Sequence, residues 1–139
     1  MEHYGHLQKA LDRAKWLNFE HQQKTTTFGV VDGPEDDFVV CSKDESIDME
    51  IPFAHRLPRH YAHLSYRKIE KIRTDENPLK HWEEIVGRLS TLDGNILRFI
   101  LHEKVPLKKF IRYELAIRGY DEHGKWIGFE QAKRLWLNK

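Results

Sequence analysis

The residues best suited to binding chemistry are concentrated between positions 55 and 73, where arginine, lysine, histidine and tyrosine recur. If this stretch is a helix beginning at Pro58, residues three and four positions apart share one face. That face is basic and aromatic, and it lies opposite an apolar stripe of Leu64, Ile69 and Ile72. Basic side chains neutralise phosphate, and an exposed tyrosine can stack on a base. The candidate residues for binding an anion or a partner are Arg56, Arg59, His63, Tyr66, Arg67 and Lys71.

Three histidines of the same stretch, His55, His60 and His63, raise the hypothesis of a zinc site. Imidazole nitrogen is a good zinc ligand, and three protein ligands would leave a fourth position open for water. The chain has nine histidines, however, so that some are neighbours by chance. It contains neither H-E-x-x-H nor C-x-x-C. We therefore expect no metal and no cofactor, and only the fold decides whether the three imidazoles converge.

The segment from Gly119 to Glu130 resembles a degraded EF-hand calcium loop. Asp121 stands at the third position of such a loop, but glycine replaces the aspartate expected at the first. The alternative is a helix that ends at Gly119, a turn at Gly124 and packing of Trp126 into the core. The sequence favours this structural interpretation.

No nucleophile motif indicates an enzyme. Cys41 ends the apolar run that begins at Phe38, where burial would raise the pKa of its thiol and make it inert. The chain has no G-x-S-x-G, P-loop or dinucleotide-binding glycine pattern. Catalytic residues are thus unknown, and an enzyme remains an alternative only if acid and base groups meet in the fold.

Charge is segregated along the chain, although the formal net charge is only +1. Residues 32–52 carry eight acidic side chains and one lysine, a net charge of −7. Residues 53–74 carry six basic side chains and one glutamate, a net charge of +5. Segments of opposite sign can neutralise one another within one chain or between two copies. We expect a homodimer in which the acidic segment of one copy faces the basic segment of the other.

The first half of the chain predicts a helix followed by a small sheet. Apolar residues recur at helical spacing from Glu2 to Phe19. Two β-rich runs follow at 25–31 and 38–41, and they are separated by a turn at Gly33 and Pro34. Ile47, Met49 and Ile51 then alternate with acidic residues, the pattern of a half-buried third strand. These runs predict a three-stranded antiparallel meander.

The second half is helical in pattern. Four to five helices are indicated by periodicity and by capping signals, among them Asn77 with Pro78, either Thr91 or Asp93, Pro106 and Gly119. Because the predicted strands lie early in the chain and the predicted helices late, we expect an α+β fold in which the C-terminal helices cover one sheet face. With no linker or repeat, we expect a single domain over residues 1–139.

The leading interpretation is a small non-catalytic protein-interaction domain that acts through segregated charge and aromatic surface. Nucleic-acid binding by the basic segment 55–73 is the alternative, although a pI of 7.9 is low for a dedicated nucleic-acid domain. The start of the chain carries no secretory signal, and the apolar run 96–101 is too short to span a bilayer. A lone cysteine suits a reducing compartment, so we expect a cytoplasmic location and no membrane partner.

Overall fold

The computed structural model describes residues 1–138. The chain divides into two compact units, Met1–Ser90 and Thr91–Lys139, and each is described by itself below. Unit 1 is Met1–Ser90, and unit 2 is Thr91–Lys139. The single domain over residues 1–139 stays a prediction.

Unit 1 contains the sheet. Its elements begin with strand β1 (Glu2–Tyr4), helix α1 (Leu7–Glu20) and strands β2 (Phe28–Asp32) and β3 (Phe38–Ser42). The strands are antiparallel, and β3 lies between β1 and β2. The predicted α+β class is therefore confirmed, and so is a three-stranded antiparallel sheet.

The third strand was predicted in the wrong place. Residues Lys43–Met49 form a helix, α2, instead of a strand. The hydroxyl of Ser42 accepts the N–H of Glu45, and the Glu45 carboxylate accepts the N–H of Ser42, which together make a capping box. This local cap outweighs the alternation of apolar residues, and Ile47 remains 60% exposed.

Strand β1 forms the edge of the sheet next to β3, where the third strand was predicted to lie. The sequence predicted helix from Glu2, but α1 begins only at Leu7. Residues 2–4 pair with β3, and two side-chain contacts hold them there: Glu2 with Arg13 on α1, and His3 with Asp37. These contacts join residues that are 11 and 34 positions apart, and hydrophobic periodicity does not predict contacts between such distant residues.

The core of unit 1 has α1 on one face of the sheet. Ala10 and Ala14 are fully buried against Val30 and Val40, since their small side chains let the helix approach closely. Strand residues point alternately to opposite faces. The second face accordingly presents Val31, Val39 and Cys41, which Met49 and Phe53 cover.

The helix predicted from Pro58 begins later, as α3 (Tyr66–Arg73), and α4 (Lys80–Ser90) follows it. Ser65 caps α3 by accepting the N–H of Lys68. The preceding residues are non-helical because distant groups hold them. Tyr61 donates to Asp12 on α1, and Lys15 donates to the carbonyl of Arg59.

Unit 2 is helical, with α5 (Gly94–His102), α6 (Leu107–Arg118) and α7 (Phe129–Leu137). Helices α6 and α7 pack on each other, and a single bridge between Tyr120 and Trp126 closes the turn that joins them. Asp93 caps α5, and Gly119 ends α6 at a φ of +81°, both as predicted. Trp126 stays 53% exposed instead of entering a core, although its ring lies against Gly119.

Across residues 1–138, every helix is too short or too polar to cross a bilayer.

Candidate functional site

Asp12 is the buried charged residue at the centre of the candidate site. It lies about half a helical turn away from Ala10 and Ala14, on the side of α1 that faces away from the sheet. A carboxylate there would ordinarily be solvated, yet only 4% of the residue is exposed. Tyr61 and Trp82, from later in unit 1, cover it.

Three neutral groups donate hydrogen bonds to the Asp12 carboxylate. Oδ1 accepts from Gln8 Nε2 at 3.0 Å and from the Tyr61 hydroxyl at 2.8 Å, whereas Oδ2 accepts from Trp82 Nε1 at 3.3 Å. Burial raises the pKa of Tyr61, and the hydrogen bond to Asp12 raises it further. Tyr61 therefore stays a neutral donor at physiological pH.

A stack of aromatic rings holds these donors in position. Tyr61 meets Trp82 edge to face, with ring centroids 5.1 Å apart. His81 lies parallel to Trp16, at 5.0 Å and an interplanar angle of 6°. Burial lowers the pKa of His81, so its imidazole is neutral and packs as an aromatic ring. Rings on α1 and α4 thus hold the two helices together beside Asp12.

A cavity of about 530 Å³ lies beside this network, between α1, α3 and α4. Its walls are mostly apolar and include Leu64, Ile72 and Leu79; Asp12 and Trp82 also line it. The cavity's basic residues are His6, Lys9, Lys68 and Lys71.

The lysines of this cavity differ in their pairing. Lys9 Nζ forms an ion pair with Asp75 at 2.9 Å and also donates to the carbonyl of Asn77. Within the described residues, the ammonium groups of Lys68 and Lys71 have neither a carboxylate nor a hydrogen-bond partner. These two positive charges are therefore available to a ligand.

A smaller cavity of about 250 Å³ adjoins the first. Gln8, Leu64 and Lys68 line both of them, so the two form one groove. The smaller cavity adds polar and basic groups from the segment before α3. These groups are Arg56, His60, Tyr61 and His63.

Three of the six predicted binding residues line the groove. Arg56 and His63 line the smaller cavity and Lys71 lines the larger. The other three, Arg59, Tyr66 and Arg67, are exposed and line neither.

Sequence reasoning missed the side chains that complete the groove, chiefly Asp12, Lys68 and Trp82. Lys68 was the only one with a usable signal, because it lies inside the basic segment. The role of Asp12 depends on partners 49 and 70 positions away, which no local pattern predicts.

The three histidines do not converge, and the loop that resembles an EF-hand has a structural role. His60 and His63 lie with ring centroids 5.7 Å apart, but His55 Nε2 lies 2.7 Å from Asp32 Oδ1 instead of joining them. Asp121 Oδ1 accepts the backbone N–H groups of His123 and Lys125, which organises the turn after α6. Among residues 1–138, no three potential metal ligands come together.

Cys41 is buried in β3 on the second sheet face, and burial raises the pKa of its thiol. A thiol of this kind is a poor nucleophile. The groove, and not Cys41, is therefore the candidate site.

Comparisons of the chain with protein-family models, curated proteins and solved structures gave no match.

Proposed function

We propose that unit 1 is a non-catalytic binding module that takes a small anionic ligand with an apolar body into the 530 Å³ cavity. The observation that carries this proposal is the pair of unpartnered lysines, Lys68 and Lys71, on the wall of a mostly apolar cavity. Both belong to α3 and lie three positions apart, so their side chains project from one side of the helix.

The size and lining of the cavity support the proposal. Ligand pockets commonly have volumes of about 300–1,000 Å³ and combine apolar walls with a few polar groups that orient the ligand. Leu64, Ile72 and Leu79 supply such walls. A carboxylate or phosphate on the ligand would accept charge-assisted hydrogen bonds from the two ammonium groups.

Calorimetric titration with caproate, an aliphatic carboxylate, tests this proposal. We expect caproate to bind, and we expect Lys68→Met and Lys71→Met each to weaken binding about tenfold, the equivalent of one charge-assisted hydrogen bond of ~1.4 kcal/mol. Lys24→Met is the matched control, because Lys24 is exposed and lines neither cavity. Absence of binding, or equal affinities in all four proteins, would reject the proposal.

Nucleic-acid binding is a second proposal for the same unit, and Tyr66 is the observation in its favour. This side chain is 90% exposed, and Arg67 follows it while Arg59 lies before α3. An aromatic ring with so little burial contributes little to folding, but it can stack on a base.

For unit 2 we propose self-association. This proposal agrees with the expectation that the protein is an interaction domain. Leu101 at the end of α5 is 82% exposed, and Phe110 and Ile111 on α6 are 61% and 59% exposed. Large exposed apolar patches usually mark interfaces. A second copy is the proposed occupant, because a twofold arrangement lets α5 of each copy cover α6 of the other.

Sedimentation equilibrium at low salt and at about 0.5 M salt separates two forms of this homodimer. An interface between the α5 and α6 surfaces is apolar and should persist in high salt. An interface between the acidic segment 32–52 and the basic segment 53–74 should weaken, because the Debye length falls to ~4–5 Å. A monomer at every concentration would reject both forms.

We also propose a cytoplasmic location. The single cysteine is free and buried, which is compatible with a reducing compartment. Cell fractionation would test this, and recovery in an extracellular fraction would contradict it.

A further inference from the structure

We infer that the ligand of the 530 Å³ cavity is bipolar, with an anionic group bound by Lys68 and Lys71 and a cationic amine bound by Asp12. The inference rests on the proposed function and adds to it a second charged end. An apolar middle would span the two. Aliphatic ω-amino acids are the simplest members of this chemical class.

The Asp12 carboxylate has no compensating positive charge among its hydrogen-bond partners. Its partners Gln8, Tyr61 and Trp82 are all neutral donors, and they satisfy hydrogen-bond geometry without cancelling a negative charge. Buried charges in proteins are ordinarily paired with an opposite charge. An amine on the ligand would supply the missing positive charge.

The neighbouring cations of α1 already form ion pairs with other carboxylates. Lys9 pairs with Asp75, and Arg13 pairs with Glu2. In the described part of the chain, no ion pair joins Asp12 to any basic side chain. Asp12 is nevertheless one of the residues that line the cavity, so a ligand bound there lies beside it.

The Oδ2 atom of Asp12 has unused hydrogen-bond acceptor capacity. This oxygen accepts one hydrogen bond, from Trp82 at 3.3 Å, whereas Oδ1 accepts two. A carboxylate oxygen has two lone pairs. One acceptor position at the floor of the cavity thus remains for an N–H donor of the ligand.

The groove therefore places unlike charges on different helices. Asp12 belongs to α1, whereas Lys68 and Lys71 belong to α3, and the apolar side chains of Leu64 and Ile72 also line the space. A ligand with only one charged end would leave one of these sites unsatisfied. A ligand with both ends charged satisfies the two together.

Three matched probes test the inference on the unmodified protein: ε-aminocaproate, caproate and hexylamine. They share a six-carbon chain and differ only in their charged ends. We expect ε-aminocaproate to bind at least about tenfold more tightly than caproate, the equivalent of ~1.4 kcal/mol. Shorter and longer ω-amino acids should show an optimum chain length, because both ends must reach their partners.

Asp12→Asn removes the charge while keeping the size of the side chain. We expect it to bring the affinity ratio of ε-aminocaproate to caproate to about one, with the affinity for caproate itself little changed. Asp48→Asn is the matched control, because Asp48 is exposed and lines neither cavity, and it should retain the preference. If Asp12→Asn does not fold, the three probes on the unmodified protein still decide the matter.

The possible results distinguish the bipolar ligand from the simpler proposal of an anionic ligand. Equal binding of caproate and ε-aminocaproate would overturn the bipolar ligand and leave the anion-binding proposal standing. Failure of both to bind would overturn the anion-binding proposal as well. Tighter binding of hexylamine than of ε-aminocaproate would show that a carboxylate opposes binding and that Lys68 and Lys71 do not bind it, which overturns both proposals.

Discussion

The hydroxyl of Tyr61 donates to Oδ1 of Asp12 at 2.8 Å, linking the non-helical segment before α3 to the middle of α1. The contact spans 49 positions of sequence. It covers a carboxylate that helical geometry alone would have left in solvent, and it places that carboxylate on the floor of a cavity. The fold of unit 1 and its candidate site therefore depend on the same hydrogen bond.

Tyr61→Phe should lower the free energy of unfolding by about 1–2 kcal/mol, because Asp12 would lose a donor in a buried setting. Tyr66→Phe is the matched control, since the Tyr66 side chain is 90% exposed and its hydroxyl should contribute nothing. Urea denaturation of the two variants measures the difference. Equal losses in both would contradict a stabilising role for the contact between Tyr61 and Asp12.

Two partly buried tyrosines, Tyr4 and Tyr61, should make the stability of the fold sensitive to alkali. Burial and then the hydrogen bond to Glu2 raise the pKa of Tyr4 to about 12, and burial likewise raises the pKa of Tyr61. An unfolded tyrosine ionises near pH 10, so above that value the folded state holds more protons than the unfolded state. Stability should be constant with respect to these groups below about pH 10 and should fall as the pH rises further.

Denaturation at a series of alkaline pH values, with tyrosinate absorbance recorded in parallel, measures this loss. Tyr4→Phe and Tyr61→Phe should each make the decline less steep. A decline of unchanged steepness in both variants would assign the alkaline sensitivity to other groups.

The ion pair between Glu2 and Arg13 should make the stability of β1 depend on pH in the acid range. Arg13 Nε lies 2.9 Å from Glu2 Oε1, and Nη2 lies 3.1 Å from Oε2. The hydrogen bond from Arg13 is the main cause of a lowered pKa at Glu2. The pKa of Glu2 is lower in the folded state than its ordinary value of 4.5. The ion pair therefore stabilises the fold fully above pH 4.5, and this stabilisation is lost as the pH falls through the pKa of the folded state.

Glu2→Gln should therefore cost up to about 1 kcal/mol at neutral pH, and its difference from the unmodified protein should disappear in acid. Glu76→Gln at an exposed position is the control. Hydrogen exchange of the β1 amides and denaturation below and above pH 4.5 measure the effect. A difference that persists at low pH would rule out the ion pair as its source.

Gly119 and Gly124 form a matched pair in the turn after α6. Both have positive φ, at +81° and +77°, but a β-carbon at Gly119 would lie 2.3 Å from the Trp126 ring, while Gly124 has open space. Gly124→Ala should cost about 1–2 kcal/mol from backbone strain alone. Gly119→Ala should cost a further ~1–3 kcal/mol from steric overlap. Thermal unfolding measures both, and equal losses would show that the Trp126 contact does not constrain this turn.

The nucleic-acid proposal predicts single-stranded oligonucleotide binding that weakens as salt rises, since phosphate contacts release counterions. Tyr66→Ala should reduce that affinity by about 1–3 kcal/mol through lost base stacking and should leave caproate binding unchanged. Fluorescence titration at two salt concentrations measures this. Absence of binding at low salt would reject the proposal.

The sequence by itself determined those elements whose signals are local. Asp93, Pro106 and Gly119 mark helix ends through groups one or two positions away, and the structure confirms all three. The β-branched run beginning at Phe38 likewise predicted β3. A cap or a turn acts within a few residues, and so the order of residues along the chain is enough to specify it.

Tertiary structure decided where local signals competed and where distant groups meet. Alternation at Ile47, Met49 and Ile51 favoured a strand at one edge of the sheet. In the structure β1 pairs with β3 at that edge, through residues 34 to 38 positions apart that no local pattern brings together. The environment of a side chain depends on what folds over it: Asp12 became buried only because groups 49 and 70 positions away closed over one face of α1. The same closure joined α1, α3 and α4 into the lining of one cavity, and this is why the candidate site emerged only from the fold.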